Sequence, residues 1–170
     1  LPAEAYQGRV WVFFSDVMND RKPHLADNGC AAACLECWRG LMAKYGVLCV
    51  AYTVMPEHTH ALFHGVSDSA DCLPAEYEWK QSTSSAINEL RGTVGVDMWQ
   101  KQPYDRVLRT TERRRDPLAQ TIRYIWNNPV RRGLVGTMHD HPYTGSCLET
   151  PAPIDSEEWW RMLWKTTVAL

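Results

Sequence analysis

The sequence lacks the features of a membrane or exported protein. No apolar run approaches the roughly 20 residues that a membrane-spanning helix needs, so we expect no transmembrane helix. The first residues, Leu1-Pro2-Ala3-Glu4, carry no basic segment followed by an apolar one, so no secretory signal is expected. The six cysteines are scattered, which favours reduced thiols in a cytosolic protein over a disulfide framework. We therefore expect a cytoplasmic protein.

Internal repeats, a clear linker and an excess of basic residues are also missing. The 170 residues, 45% apolar and 22% charged, are ordinary for one globular domain, which we place at residues 1–150. A Trp-rich segment at residues 151–170 is predicted to form a helical tail.

The distribution of charge matters more than the net charge of −2. Nine basic and three acidic residues lie between Lys101 and Arg132, so this segment carries +6 and the rest of the chain carries −8. A run of charge is usually a solvated face, but this one also contains the candidate nucleophile described below. The segment therefore favours a polyanionic partner.

The order of predicted elements indicates an α+β fold. Apolar runs predict strands at residues 9–15, 47–54, 58–66 and 103–109, and helical periodicity predicts helices at residues 30–45, 75–90 and 116–128. Asp116-Pro117 has the composition of a helix start. This β-α-β-β-α-β-α order predicts a ferredoxin-like antiparallel sheet with helices packed on one face, followed by the C-terminal helical tail.

Two histidines in the third predicted strand are the first candidate site. Since side chains alternate along a strand, His58 and His60 must point to the same face, where two imidazoles can hold one divalent metal ion. The competing interpretation is a pair of half-buried strand histidines without a ligand. His64 falls on the same face. It either supports the pair or is unconnected to it.

A tyrosine on the third predicted helix is the second candidate. Tyr124 and Asn128 lie four residues apart and share a helix face. The apolar stripe of this helix, which is Leu118, Ile122, Ile125 and Trp126, lies on roughly the opposite side. Tyr124 is therefore available for chemistry on a basic surface, although it could also be an ordinary amphipathic residue. Tyr104, in a basic strand, is its nearest rival.

Three cysteines have the spacing of a radical-SAM iron–sulfur cluster. Such ligands need an irregular loop on which three thiolates converge. Cys30, Cys34 and Cys37 instead continue the apolar stripe of a predicted helix, which favours buried thiols.

Three sequence blocks together resemble the REP-associated tyrosine transposases, which are single-tyrosine HUH endonucleases. The blocks are residues 55–60 (Met-Pro-Glu-His-Thr-His), 98–109 and 124–135 (starting Tyr-Ile-Trp-Asn-Asn-Pro), in the order and spacing of that family. The resemblance spans roughly residues 6–146. The Trp-rich tail lies outside it.

The resemblance implies a role for each candidate residue. His58 and His60 would be the HUH metal ligands, Asn128 the third polar ligand and Tyr124 the nucleophile, with Mg²⁺ or Mn²⁺ as the cofactor. Thr59 departs from the family, which usually has a bulky apolar residue there. Because Thr59 points away from the metal face, we expect little effect.

The expected activity is metal-dependent cleavage and rejoining of hairpin-associated single-stranded DNA through a 5′-phosphotyrosine intermediate. The expected partner is REP-like palindromic DNA, bound by a monomer or homodimer in the bacterial nucleoid. The basic residues expected to hold DNA are Arg106, Arg109, Arg113, Arg114, Arg123, Arg131 and Arg132. One alternative is a catalytically silent hairpin-binding protein descended from a transposase. Another is a metal hydrolase of small phosphoesters, which would need no basic surface.

Overall fold

The computed structural model describes residues 1–109 and 111–168 and shows one antiparallel sheet flanked by helices. The strands are β1 (Trp11–Val17), β2 (Val47–Met55), β3 (His58–Gly65), β4 (Tyr104–Val107) and β5 (Thr144–Gly145). The helices are α1 (Asn28–Tyr45), α2 (Cys72–Arg91), α3 (Arg115–Trp126), α4 (Asn128–Arg131) and α5 (Glu157–Val168). The strand order β4-β1-β3-β2-β5 contains the ferredoxin-like order 4-1-3-2, which confirms the predicted fold class. Among the described residues, none of the helices has the length and apolarity to cross a membrane.

Strand β3 lies at the centre of the sheet. Pro56 and Glu57 form the tight turn that leads into it from β2, as predicted, because proline cannot continue a central ladder. Both neighbours pair antiparallel with β3, and His60 stands opposite Ser15 of β1 and Thr53 of β2. Hydrogen bonds on both edges therefore hold the two histidines in a fixed register.

Helices α1 and α2 pack together on one face of the sheet. Asp27 caps α1 by accepting a hydrogen bond from the Cys30 backbone nitrogen at 3.0 Å, and Gly46 ends it at a φ of 61°. Trp38 of α1 stacks on Trp79 of α2 with ring centroids 4.9 Å apart. This layer matches the prediction of helices on one face.

Helices α3 and α5 cover the opposite face, which the prediction did not include. The apolar stripe of α3 is fully buried together with Leu62 of β3 and Val50 of β2. Since α1 and α2 already cover the first face, the stripe of α3 could be buried only on the second. This packing places α3 on the face of β3 that carries His58 and His60.

Three local predictions differ from the structure. Asp116 is not the N-cap of α3, because Arg114 takes that position. Asp116 lies in the first turn, where its negative charge interacts favourably with the helix dipole. The helix ends at Trp126, and the separate short helix α4 begins at Asn128, with Pro129 in its first turn. Strand β5 lies outside all four strands predicted from the sequence.

The Trp-rich tail contains a helix, as predicted. Its apolar side chains contribute to the second core, which is the apolar cluster between the sheet and helices α3 and α5. Trp159 is buried in edge-to-face contact with Trp126 of α3, with ring centroids 4.8 Å apart. Leu163, one turn later, is also fully buried. Helix α5 therefore packs against α3 through Trp159 and Trp126.

We predict that Trp159→Ala destabilises the fold by about 3–5 kcal/mol, because it leaves a cavity against Trp126. Urea unfolding followed by circular dichroism measures the change. Arg161→Ala, at an exposed position of the same helix, should change the free energy of unfolding by no more than about 0.5 kcal/mol. Equal unfolding midpoints for the Trp159→Ala variant and the parent would contradict the docking of α5.

Candidate active site

His58 and His60 form a pair of adjacent imidazoles on the face of β3 covered by α3. Their ring centroids are 4.8 Å apart in an edge-to-face arrangement. Phe13 of β1 stacks against His60 at 5.5 Å and limits its access to water. His60 is only 9% exposed, and its Nδ1 atom is buried with no hydrogen-bond partner among the described residues. A buried nitrogen without a partner is unfavourable, and a ligand could satisfy it.

Burial keeps both rings of the pair neutral at physiological pH. It lowers the pKa of His60 to about 3, and the charges of His58 and Arg131 act in the same direction. Burial also lowers the pKa of His58, although the neighbouring Glu57 carboxylate partly opposes the change. A neutral imidazole keeps a lone pair, which a metal ion needs.

An acidic residue in the turn orients the first histidine. The Glu57 Oε1 atom lies 3.2 Å from His58 Nδ1 and also accepts a hydrogen bond from Arg132 Nη2 at 2.9 Å. A carboxylate that accepts a hydrogen bond from Nδ1–H selects the tautomer in which Nε2 carries the lone pair. Glu57 is therefore a positioning residue for His58, and Arg132, directly after α4, holds Glu57 in place.

Helix α3 brings Tyr124 to the histidine pair. The ring of Tyr124 lies 6.2 Å from that of His60, although 64 positions separate the two residues in the chain. Tyr124 is 46% exposed, so its hydroxyl group is accessible. The guanidinium of Arg131 lies over the same ring at 4.9 Å, a distance at which a cation attracts an aromatic face.

Asn128 lies one turn beyond Tyr124 and is 8% exposed. Its Nδ2 atom donates to the Tyr124 backbone carbonyl at 2.8 Å, which leaves Oδ1 as the side-chain atom that could bind a ligand. In residues 1–109 and 111–168, no group of three or more histidine, cysteine, aspartate or glutamate side chains could hold a metal ion. The histidine pair could therefore hold a metal ion only with further ligands, for which the Asn128 amide and oxygens of the substrate are the candidates.

A cavity of about 550 Å³ opens beside Tyr124, between α3 and the β1–β4 edge of the sheet. Its walls combine aromatic, amide, hydroxyl and charged groups. The lining residues are Phe13, Ser15, His60, Tyr104, Arg106, Glu112, Pro117, Gln120, Thr121 and Tyr124. The candidate metal ligand and the candidate nucleophile therefore share a solvent-accessible space, large enough for a small ligand.

The arginines expected to hold DNA fall into three groups. Arg131 and Arg132 lie beside the tyrosine and the histidine pair, and Arg106 lines the cavity. Arg109 and Arg114 are exposed in the segment that leads into α3.

Two other arginines make contacts within the protein that the sequence did not predict. Arg113 donates through Nε to the Leu108 carbonyl at 2.8 Å. Arg123 pairs with Asp155 at 2.8 Å, and its guanidinium stacks over Trp160. Arg123 therefore links α3 to the segment that carries α5.

The remaining histidine of β3 has a separate environment. His64 is buried, stacks on Trp11 with ring centroids 4.1 Å apart, and lies with Nδ1 3.2 Å from the Val10 carbonyl oxygen. Burial lowers its pKa to about 4. These contacts fit a structural histidine better than a partner of His58 and His60.

The cysteines of the alternative cluster motif lie on one continuous helix. Cys30 and Cys34 are fully buried in α1, and Cys37 is partly buried. Burial raises the pKa of all three thiols, which disfavours the thiolates that an iron–sulfur cluster needs. The geometry favours buried thiols over cluster ligands.

Sequence reasoning missed two acidic residues of the site. Glu57 directly precedes His58, and that adjacency was the available signal. Glu112 forms an ion pair with Arg106 and accepts the Arg109 backbone N–H at 2.9 Å. Nothing local in the sequence marks Glu112, because its role follows from the position of β4 beside α3.

Comparisons with known proteins identify the fold first. The chain shares its fold with a solved REP-associated tyrosine transposase bound to a REP hairpin, at a TM-score of 0.61 and 20% identity over 81% of this chain and 76% of that one. A crystal structure described as a candidate transposase from Deinococcus radiodurans has a TM-score of 0.48 and 19% identity over 72% of this chain and 92% of that one. No protein-family model matches the chain.

A curated relative is similar to most of the chain. A Haemophilus influenzae protein, named as a candidate REP-associated tyrosine transposase, is 27% identical over 160 residues, which cover 86% of this chain and 85% of that protein. The resemblance to REP-associated tyrosine transposases that the sequence motifs carry is therefore confirmed.

We predict that His60 and His64 stay neutral well below pH 6 in metal-free protein and titrate at about 3 and about 4, respectively. Histidine in the unfolded chain has a pKa near 6.5, so below that pH the unfolded state binds more protons than the folded state. As the pH is lowered below 6.5, the free energy of unfolding should fall by about 1.4 kcal/mol per pH unit for each of these histidines. The fall should stop at the pKa that the histidine has in the folded protein.

Imidazole NMR signals recorded during a pH titration with a chelator present measure both pKa values directly. Urea unfolding at each pH measures the linked loss of stability. A pKa near 6.5 for the ring of His60 or of His64 would contradict the burial of that ring in its neutral form.

Proposed function

We propose that the chain is a metal-dependent single-strand DNA endonuclease and strand transferase that cleaves and rejoins hairpin-associated DNA through Tyr124. One observation carries the proposal: an accessible tyrosine with a cation over its ring lies 6.2 Å from one of two neutral, adjacent histidines. The relative named as a candidate transposase, and the similar fold of a transposase bound to a REP hairpin, support DNA as the substrate.

The donor set fits a divalent metal ion. The two rings are close enough for nitrogen atoms of both to reach one ion, and burial keeps both neutral. Glu57 gives His58 the carboxylate–histidine contact that metal ligands usually have. Two imidazoles, one amide oxygen and phosphate oxygens suit Mn²⁺ at least as well as Mg²⁺. When bound, such an ion would polarise the scissile phosphate and orient it.

Tyr124 would be the nucleophile. Its phenol oxygen loses a proton to solvent and attacks the phosphorus, while the bond from phosphorus to the 3′ oxygen breaks. The departing oxygen takes up a proton and becomes a free 3′-OH, and the 5′ end of the other fragment stays on Tyr124 as a phosphotyrosine. Arg131, held against the Tyr124 ring, keeps positive charge beside the phosphate throughout the step.

Rejoining would reverse the same step. Because one phosphodiester replaces another, the phosphotyrosine conserves the bond energy, and the 3′-OH of a second strand can attack it without ATP. Arg109 and Arg114, exposed in the segment that precedes α3, would hold backbone phosphates while the ends exchange.

We predict that Tyr124→Phe abolishes the covalent protein–DNA adduct, because it removes the attacking oxygen, and leaves hairpin affinity within about twofold. The measurement is incubation with labelled single-stranded hairpin DNA and Mn²⁺, followed by a denaturing gel. Tyr104→Phe is the matched control, since it removes the hydroxyl of another tyrosine on the same cavity and should leave the adduct intact. An adduct formed by the Tyr124→Phe variant would show that Tyr124 is not the nucleophile.

A catalytically silent hairpin-binding protein is the second candidate. It is favoured by the absence of a third histidine, cysteine, aspartate or glutamate ligand among residues 1–109 and 111–168.

We predict that His58→Ala lowers the rate of adduct formation by at least 100-fold, because it removes one metal ligand. Most of the hairpin affinity should be preserved. The denaturing gel and a fluorescence binding titration measure the two effects. If the unsubstituted protein binds the hairpin and forms no adduct with Mg²⁺ or Mn²⁺, the silent candidate replaces the enzyme.

A further inference from the structure

We propose that the cavity beside Tyr124 binds one unpaired base of the DNA strand, stacked on Tyr104. The inference rests on the proposed function for its substrate, single-stranded DNA. It adds a base-binding subsite next to the scissile phosphate and gives Tyr104 a role in holding the strand.

Tyr104 is an aromatic residue in an unusually exposed position. Its side chain is 66% exposed, although it lies on a strand beside the second core. Its register opposite Ser15 of β1 puts it on the face of the sheet that carries His60, and its ring makes an edge contact with Phe13, with centroids 6.4 Å apart. Phe13 therefore supports the ring of Tyr104 from the sheet side. Exposed aromatic rings of this kind are the surfaces on which single-stranded nucleic acids stack their bases.

The charges on the cavity wall favour a base over a phosphate. Arg106 and Glu112 pair with each other, and the Arg109 backbone N–H fixes the second carboxylate oxygen. The two side-chain charges cancel, so this wall offers a phosphate little net attraction. A neutral base, whose edge carries both donors and acceptors, suits this wall.

Helix α3 supplies a group that can read the edge of the base. Gln120 lies four residues before Tyr124, so both project from the same side of the helix, and both line the cavity. Its amide offers two donors and an acceptor. The volume of about 550 Å³ lies within the range of small-ligand pockets.

The position of the cavity determines which nucleotide it would hold. Tyr124 and His60 form part of its wall, so a base bound there belongs to a nucleotide adjacent to the phosphate that Tyr124 attacks. Stacking that base on Tyr104 would keep the strand from sliding past the nucleophile. The subsite would therefore help to set the position of cleavage.

The experiment measures binding in the Tyr124→Phe variant, so that no cleavage takes place. Hairpins with a single-stranded extension, each with one extension base replaced by an abasic site, are titrated by fluorescence anisotropy. At one position we expect the abasic site to weaken binding by about tenfold or more, as the loss of one stacked base does. We call this loss of affinity the abasic penalty. In the Tyr124→Phe protein that also carries Tyr104→Ala, the penalty should fall to less than about twofold.

Two further variants serve as controls. Tyr104→Phe keeps the ring and should keep the penalty. Tyr77→Ala removes a comparably exposed tyrosine, at 50% exposure, from α2 on the other side of the sheet, and should also keep the penalty. Circular dichroism of each variant establishes that it is folded.

The outcomes separate this subsite from the proposed function. Two results overturn the subsite and leave the proposed function standing. In the first, the penalty is equal with and without Tyr104→Ala. In the second, no extension base shows a penalty. Failure of the Tyr124→Phe protein to bind any hairpin overturns both. A penalty that disappears only in the Tyr104→Ala variant supports the subsite, whether or not the unsubstituted protein forms a covalent adduct.

Discussion

The pairing of β3 between β1 and β2 is the constraint on which the rest of the site depends. Hydrogen bonds on both edges fix the register of β3, and strand alternation then places His58 and His60 together on one face. A slip of one residue would turn both rings to the α1–α2 layer. The central position also buries the rings, which keeps them neutral and able to bind a metal ion.

Packing, more than any polar contact, brings Tyr124 to this pair. The four buried stripe residues of α3 each contribute about 1.5–3 kcal/mol by leaving water. The exposed Arg131–Tyr124 contact is worth about 0.5–1 kcal/mol. The stripe therefore sets the position of the helix, and Trp159 of α5 strengthens it. Arg131 and the Arg132–Glu57–His58 contacts adjust the side chains within a frame that already exists.

The sequence was informative where a rule is local. Alternation along β3 predicts that His58 and His60 share a face, and helical periodicity predicts that Tyr124 lies away from the apolar stripe of α3. Neither rule says which face of the sheet α3 covers, because that depends on which face α1 and α2 have left open. The contact of Arg132 with Glu57, 75 positions apart, and the position of Tyr104 beside the cavity likewise follow only from the tertiary arrangement.

The most direct test of this account identifies the residue that carries the DNA. After reaction with hairpin DNA and Mn²⁺, a protease that cuts after arginine separates residues 124–131, whose single tyrosine is Tyr124, from the segment that contains Tyr104. Mass spectrometry should find the nucleotide mass on residues 124–131. The same mass on the Tyr104 peptide would contradict the assignment of the nucleophile, and a nucleotide mass on neither peptide would contradict a phosphotyrosine mechanism at this site.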